Sequence, residues 1–108
     1  MKSVLESDIQ RTVCDYLFNY KRYFGWRNNN VGVYDPTTRG FRRPQKYAPK
    51  GLPDIQVITD GGFTIFLEIK RKGGKQSPDQ KDFEQKCKDK GAEYYVIKDV
   101  GELKEIGL

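Results

Sequence analysis

Apolar residues recur at steps of three and four from near the start of the chain: Leu5, Ile9, Val13, Tyr16, Leu17, Tyr20 and Phe24. That stripe is wide enough to bury one face of an amphipathic helix. Ser3 and Glu6 fit an S-x-x-E capping box at its opening, where the carboxylate would satisfy a free backbone amide. The alternative sets Glu6, with Gln10 one turn later, at the edge of the stripe and reaching into an active site. From Trp26 to Tyr34 the pattern turns strand-like, punctuated by Asn28, Asn29, Asn30 and Gly32, and predicts a first, irregular strand. Two β-rich runs, Gln56 to Thr59 and Phe63 to Phe66, are joined by Asp60-Gly61-Gly62, the pattern of an antiparallel hairpin. Ser77 at an N-cap, Pro78 at the first helical position and Gln80 at the third announce a second helix, with Gln80, Phe83 and Cys87 on one face. Gly91 ends it, Tyr94 to Ile97 reads as a last strand, and Val100 to Ile106 adds one short helix. The order is helix, strand, strand, strand, helix, strand, an α/β chain without repeats.

The hairpin carries the chemistry. Alternation along its second strand puts Phe63, Ile65, Leu67 and Ile69 on one face, and Thr64, Phe66, Glu68 and Lys70 on the other. Glu68 and Lys70 therefore point the same way, a carboxylate suited to a hard cation and an amine aimed at the same reacting phosphate. The turn also brings Asp54, which precedes the first strand, back beside Glu68. A surface salt-bridge cluster is the bland alternative. Against it, Ile55, Val57, Leu67 and Ile69 would bury most of the hairpin, and a buried carboxylate pair is costly without a cation.

Composition narrows the options. A chain of 108 residues makes one domain, 1–108. With 20 Lys plus Arg against 15 Asp plus Glu, a polyanion is a better partner than an acidic protein. The absence of His excludes a Ser-His-Asp triad, His-ligated zinc and an imidazole base. Catalysis must then run on carboxylates, Lys and a metal. Cys14 and Cys87 lie among apolar residues without a Cys-x-x-Cys pair and read as buried thiols. No apolar run suits export or a membrane span, so a cytoplasmic protein is expected, in the host cytoplasm if the gene belongs to a phage or prophage.

Residues 36–53 contain no acid, while Arg39, Arg42, Arg43, Lys46 and Lys50 alternate with Gly40, Phe41, Tyr47 and prolines. Such a loop suits backbone phosphates and exposed bases, with plain solvation as the alternative. Arg71, Lys72 and Lys75 with Gly73 and Gly74 form a second basic turn beside Lys70.

Taken together, these residues resemble a stand-alone VRR-NUC domain, a branch of the PD-(D/E)XK nuclease superfamily. The resemblance rests on Glu6 with Gln10, Trp26-Arg27-Asn28, Lys50-Gly51-Leu52-Pro53-Asp54-Ile55, Glu68-Ile69-Lys70, Gly73 to Ser77, Gln80 with Phe83, and Gly91 before the last strand. It spans nearly the whole chain. It implies a restriction-endonuclease-like core, a mixed central sheet flanked by helices, and metal-dependent hydrolysis of DNA. Asp54 and Glu68 would hold Mg²⁺ or Mn²⁺, with the carbonyl of Ile69 as a further ligand. Lys70 would either stabilise the transition state or help deprotonate water, and Glu6 and Gln80 would complete the site. The small stand-alone members look like homodimers resolving four-way (Holliday) junctions in DNA repair. Phe18, Tyr23, Phe66, Tyr94 and Tyr95 exceed the obvious needs of one small core and fit such an interface. No nucleotide cofactor and no membrane partner are expected. The rivals are a non-catalytic basic nucleic-acid-binding module and a flap or non-specific nuclease.

Neutralising Arg39, Arg42 and Arg43 together is expected to weaken DNA binding and to flatten its dependence on salt. Each lost phosphate contact removes about 0.9 from the log-log slope, which a salt titration of binding measures; an unchanged slope returns the loop to solvation.

Overall fold

The computed structural model describes residues 5–28, 33–35, 40–42 and 49–108. Its centre is a four-stranded sheet in the order β1 (Phe24–Arg27), β4 (Ile55–Thr59), β5 (Phe63–Ile69), β6 (Glu93–Ile97). The first three strands run antiparallel and β6 lies parallel to β5, so the sheet is mixed. The crossover to β6 is the helix α2 (Pro78–Asp89). A separate pair, β2 (Val33–Asp35) with β3 (Gly40–Arg42), sits in the connection from β1 to β4. The chain closes with α3 (Glu102–Glu105). Among the described residues no helix is long and apolar enough to cross a membrane.

Alternation in β5 works as expected from Thr64 onward. Ile65, Leu67 and Ile69 are buried on one face together with Ile9, Val13 and Leu17 of the first helix, Ile55, Val57, Ile97 and Leu103. Phe66 and Glu68 face the other way, toward α2, where the Phe66 and Phe83 rings meet edge-on at 5.4 Å. The sheet thus has an apolar layer on one face and, on the other, a helix whose start faces Glu68. Phe63 is the exception, exposed at the strand's first position.

Three expectations need correction. The helix α1 (Glu6–Cys14) continues through Asp15–Tyr20 with wider, π-type turns, in which the amide of Lys21 bonds the carbonyl of Tyr16 at 2.9 Å. Arg22 then adopts a left-handed backbone, φ 60°, and turns the chain into β1. Phe24 consequently starts a strand instead of ending a helix, and it and Tyr20 are exposed. Second, the stretch from Trp26 to Tyr34 divides into β1 and β2, which belong to different sheets, and the basic loop itself contains β3. Third, α1 opens on Leu5 with no side-chain cap, so Glu6 is its first residue and not the third position a capping box requires. Ser3 lies outside the described residues, as do Arg39, Arg43 and Lys46; the side chain of Arg42 does too.

The aromatic surplus is absorbed within one chain. Phe18, Tyr23 and Tyr95 pack against the core, Tyr94 is buried, and Phe66 meets Phe83. Cys14 and Cys87 are free thiols, the first half-buried and the second buried, and burial pushes both above the ordinary thiol range. Gly91, φ 85°, ends α2: its amide bonds the carbonyl of Lys88, and that of Ala92 bonds Cys87.

One glycine sits hard against the start of α2. Gly51 has φ 74°, and a Cβ there would lie 2.3 Å from the carbonyl oxygen of Asp79 in the first turn of the helix. Gly51→Ala is expected to cost roughly 1–3 kcal/mol through strain at a positive φ and loss of this close approach. Urea unfolding checks it.

Candidate active site

Asp54 is the last residue before β4, and the hairpin register that pairs Ile55 with Leu67 carries it to the level of Glu68. Its backbone is held from the other side by Asn28, whose amide N–H donates to the Asp54 carbonyl at 2.7 Å. The side-chain Nδ2 of Asn28 donates to the Pro53 carbonyl at 3.0 Å. Asp54 Oδ2 accepts the backbone N–H of Ile69 at 2.8 Å.

Glu68 is 2% exposed. Its Oε1 accepts from Gln80 Nε2 at 2.8 Å and lies 3.7 Å from Lys70 Nζ. Its Oε2 is buried without a hydrogen-bond partner among the described residues. Burial foremost, then the charge of Asp54 and a hydrogen bond shared with it, push the Glu68 carboxyl up to about 8; Lys70 opposes the shift and Glu6 adds to it. Two ionised carboxylates have only acceptors to offer each other. The pair therefore calls for either a proton held between them or a cation.

Gln80 closes its helix cap and also reaches Glu68, so the two parts that spacing left as alternatives fall to the two ends of one side chain. Its Oε1 accepts the Ser77 amide at 2.8 Å, and its own amide donates to Ser77 Oγ at 3.2 Å, closing the capping box. Its Nε2 is left to hold Glu68. Glu6 fares differently. It is exposed, and among the described residues no three acidic, Cys or His side chains converge as a ligand set. Its charge adds to the upward shift of Glu68.

Oxygen donors in this arrangement suit a hard cation. In an extended strand the N–H and C=O of one residue point to the same edge. The carbonyl of Ile69 thus shares the edge from which its N–H reaches Asp54, while the next amide, of Lys70, turns to the Ile97 carbonyl on β6 at 3.0 Å. Lys50, Arg71, Lys72 and Lys75 are exposed and make no ion pair with another described residue. Asn28 is the residue whose part the sequence left unread; its position two residues after Trp26 gave only a motif, not the two bonds that pin Pro53 and Asp54.

No protein-family model matches the sequence, and no curated protein matches it. A solved structure described as a VRR_NUC domain superposes with a TM-score of 0.61 over 95% of each chain. The chain has the VRR_NUC fold. At 16% identity the likeness is one of fold, and it agrees with the mixed sheet, the flanking helices and the PD-(D/E)XK-like core. Within the VRR_NUC fold the Asp54, Glu68 and Lys70 side chains meet at the end of the central hairpin.

The raised Glu68 carboxyl makes stability depend on pH. Between its ordinary value of 4.5 and about 8, the folded state keeps a proton that the unfolded chain releases. Stability in EDTA is therefore expected to be full below 4.5 and to fall as pH rises toward 8, by an amount on the order of a few kcal/mol. Urea midpoints across that range check this, and Glu68→Gln is expected to remove the slope.

Proposed function

We propose that the chain is a divalent-metal-dependent DNA phosphodiesterase, an endonuclease selective for branched DNA. The observation that carries the reading is buried Glu68 beside half-buried Asp54, with Glu68 Oε2 lacking a donor among the described residues. A structural ion pair would place a donor there; a site awaiting a cation would not. Asp54 and Glu68, with the Ile69 carbonyl, would hold Mg²⁺ or Mn²⁺. When bound, such a cation lowers the pKa of water and neutralises charge on a phosphoryl group.

The protein's own groups do the rest. Gln80 fixes the rotamer of Glu68, and Asn28 with the Ile69 amide fixes Asp54, so both carboxylates are held before substrate arrives. Lys70, ion-paired with Glu68, would orient the attacking water and stabilise negative charge building on the phosphorus centre. The attacking water gives a proton to bulk solvent as its oxygen bonds to phosphorus, the bond to the leaving oxygen breaks, and the leaving oxygen takes a proton back from solvent. Lys50, Arg71, Lys72 and Lys75, with Arg39, Arg42, Arg43 and Lys46 of the basic loop, would bind the flanking phosphates.

Asp54→Ala, Glu68→Ala and Lys70→Ala are each expected to lower cleavage by at least about a thousandfold while DNA binding persists. The assay sets linear, flapped and four-way DNAs against Mg²⁺, Mn²⁺ or EDTA. Near-normal turnover in Glu68→Ala sinks the mechanism, and binding without any cleavage by the unaltered chain leaves a nucleic-acid-binding module.

The two symmetric cuts that resolve a four-way junction support a homodimer as the working form. A dimeric mass by light scattering, with faster cleavage of a mobile junction than of linear duplex, is the expected result. A monomeric mass with equal rates favours a flap or non-specific nuclease.

A further inference from the structure

The outer strand of the sheet leaves two aromatic rings uncovered. Phe24 is 68% and Trp26 40% exposed, and their rings meet edge-on at 5.8 Å. Gly25, between them, faces the opposite layer, since a Cβ there would lie 2.9 Å from the Phe18 ring. Phe24 and Trp26 therefore stand on the α2 face of the sheet, the face of Glu68. The register confirms it: Trp26 pairs with Gln56, Gln56 with Phe66, and Phe66 precedes Glu68 by two residues. By strand geometry the Trp26 position lies about 12 Å from Glu68, or on the order of three stacked nucleotides.

The indole is also tied to the site. Its Nε1 donates to Asn28 Oδ1 at 3.1 Å, and Asn28 holds Pro53 and Asp54. The ring's polar atom is thus satisfied within the chain, while its face stays open. Lys21 and Arg22, which lead into this strand, are exposed, and residues 16–34 contain no acid. Two copies of this surface would repel each other, whereas a polyanion complements it.

We infer that Phe24 and Trp26 form a stacking platform for unpaired nucleobases beside the scissile phosphate. The inference rests on the nuclease reading and narrows its substrate class. Base faces are free to stack on aromatic rings only where pairing is broken, at a junction, a flap or a single strand. Duplex is then the poorer ligand for this face.

Trp26 is the one tryptophan of the chain and serves as its own probe. Titrating the full chain in EDTA with oligothymidylate should quench its fluorescence in step with binding followed by anisotropy of labelled DNA. Blunt duplex should quench it little. Phe24→Ala and Trp26→Ala should each weaken single-strand binding roughly tenfold, with Trp26→Phe retaining part of the affinity. Binding of oligothymidylate without quenching, or equal quenching by duplex, overturns the inference. So does fluorescence that changes with protein concentration in the absence of DNA, which would put a second copy on this face. Cleavage with Mg²⁺ is scored separately. Quenching without cutting removes the nuclease reading and keeps the platform, and cutting without quenching removes the platform alone.

Discussion

Two neighbouring carboxyl groups, buried Glu68 and half-buried Asp54, set the terms for everything near them. Each would repel the other if ionised, and the apolar layer behind β5 offers no relief. The surrounding chain answers with donors: the Gln80 amide, the Lys70 ammonium and the Ile69 backbone N–H. These donors leave Glu68 Oε2 without one among the described residues. A fold that merely needed stability would do better with apolar side chains at these positions. The pair is balanced either by a shared proton or by added positive charge.

The start of α2 is built into the same problem. Gly51 packs against the Asp79 carbonyl, Ser77 and Gln80 close the capping box, and Gln80 turns its remaining amide to Glu68. Helix initiation and carboxylate positioning therefore share one side chain. Asn28 plays the matching part across the sheet, joining the end of β1 to Pro53 and Asp54. The site is clamped between the first turn of a helix and an outer strand, neither of which carries the carboxylates.

Much of this was legible in the residues. Strict alternation in β5, the Asp60-Gly61-Gly62 turn, the Ser77-Pro78 start and the Gly91 stop are short-range signals, and each specifies its element locally. What escaped depended on distant partners. The widened turns at Asp15–Tyr20 and the reversal at Arg22 break a period that the side chains alone continue through Phe24. The split into β1 and β2 follows from pairing with β4 and β3, which spacing does not encode. Gln80 reads as cap or site residue because sequence shows one amide, not its two ends. The aromatic residues that suggest an interface are consumed by packing against α2 and α1, while the rings left outside, Phe24 and Trp26, fall by periodicity in different elements, which hides their shared face.

The ladder between β4 and β5 ends at Ile55 and Leu67, yet β5 runs two residues further, and its last amide on that edge is held by a carboxylate instead of a carbonyl. A carbonyl keeps its acceptor strength at any pH and beside any ion. A carboxylate does not, since whatever neutralises it also loosens its hold on the donor. The final rung of this sheet is thus sensitive to its ionic surroundings, and the exchange of the Ile69 amide proton with solvent becomes a local gauge of what occupies the space beside Asp54.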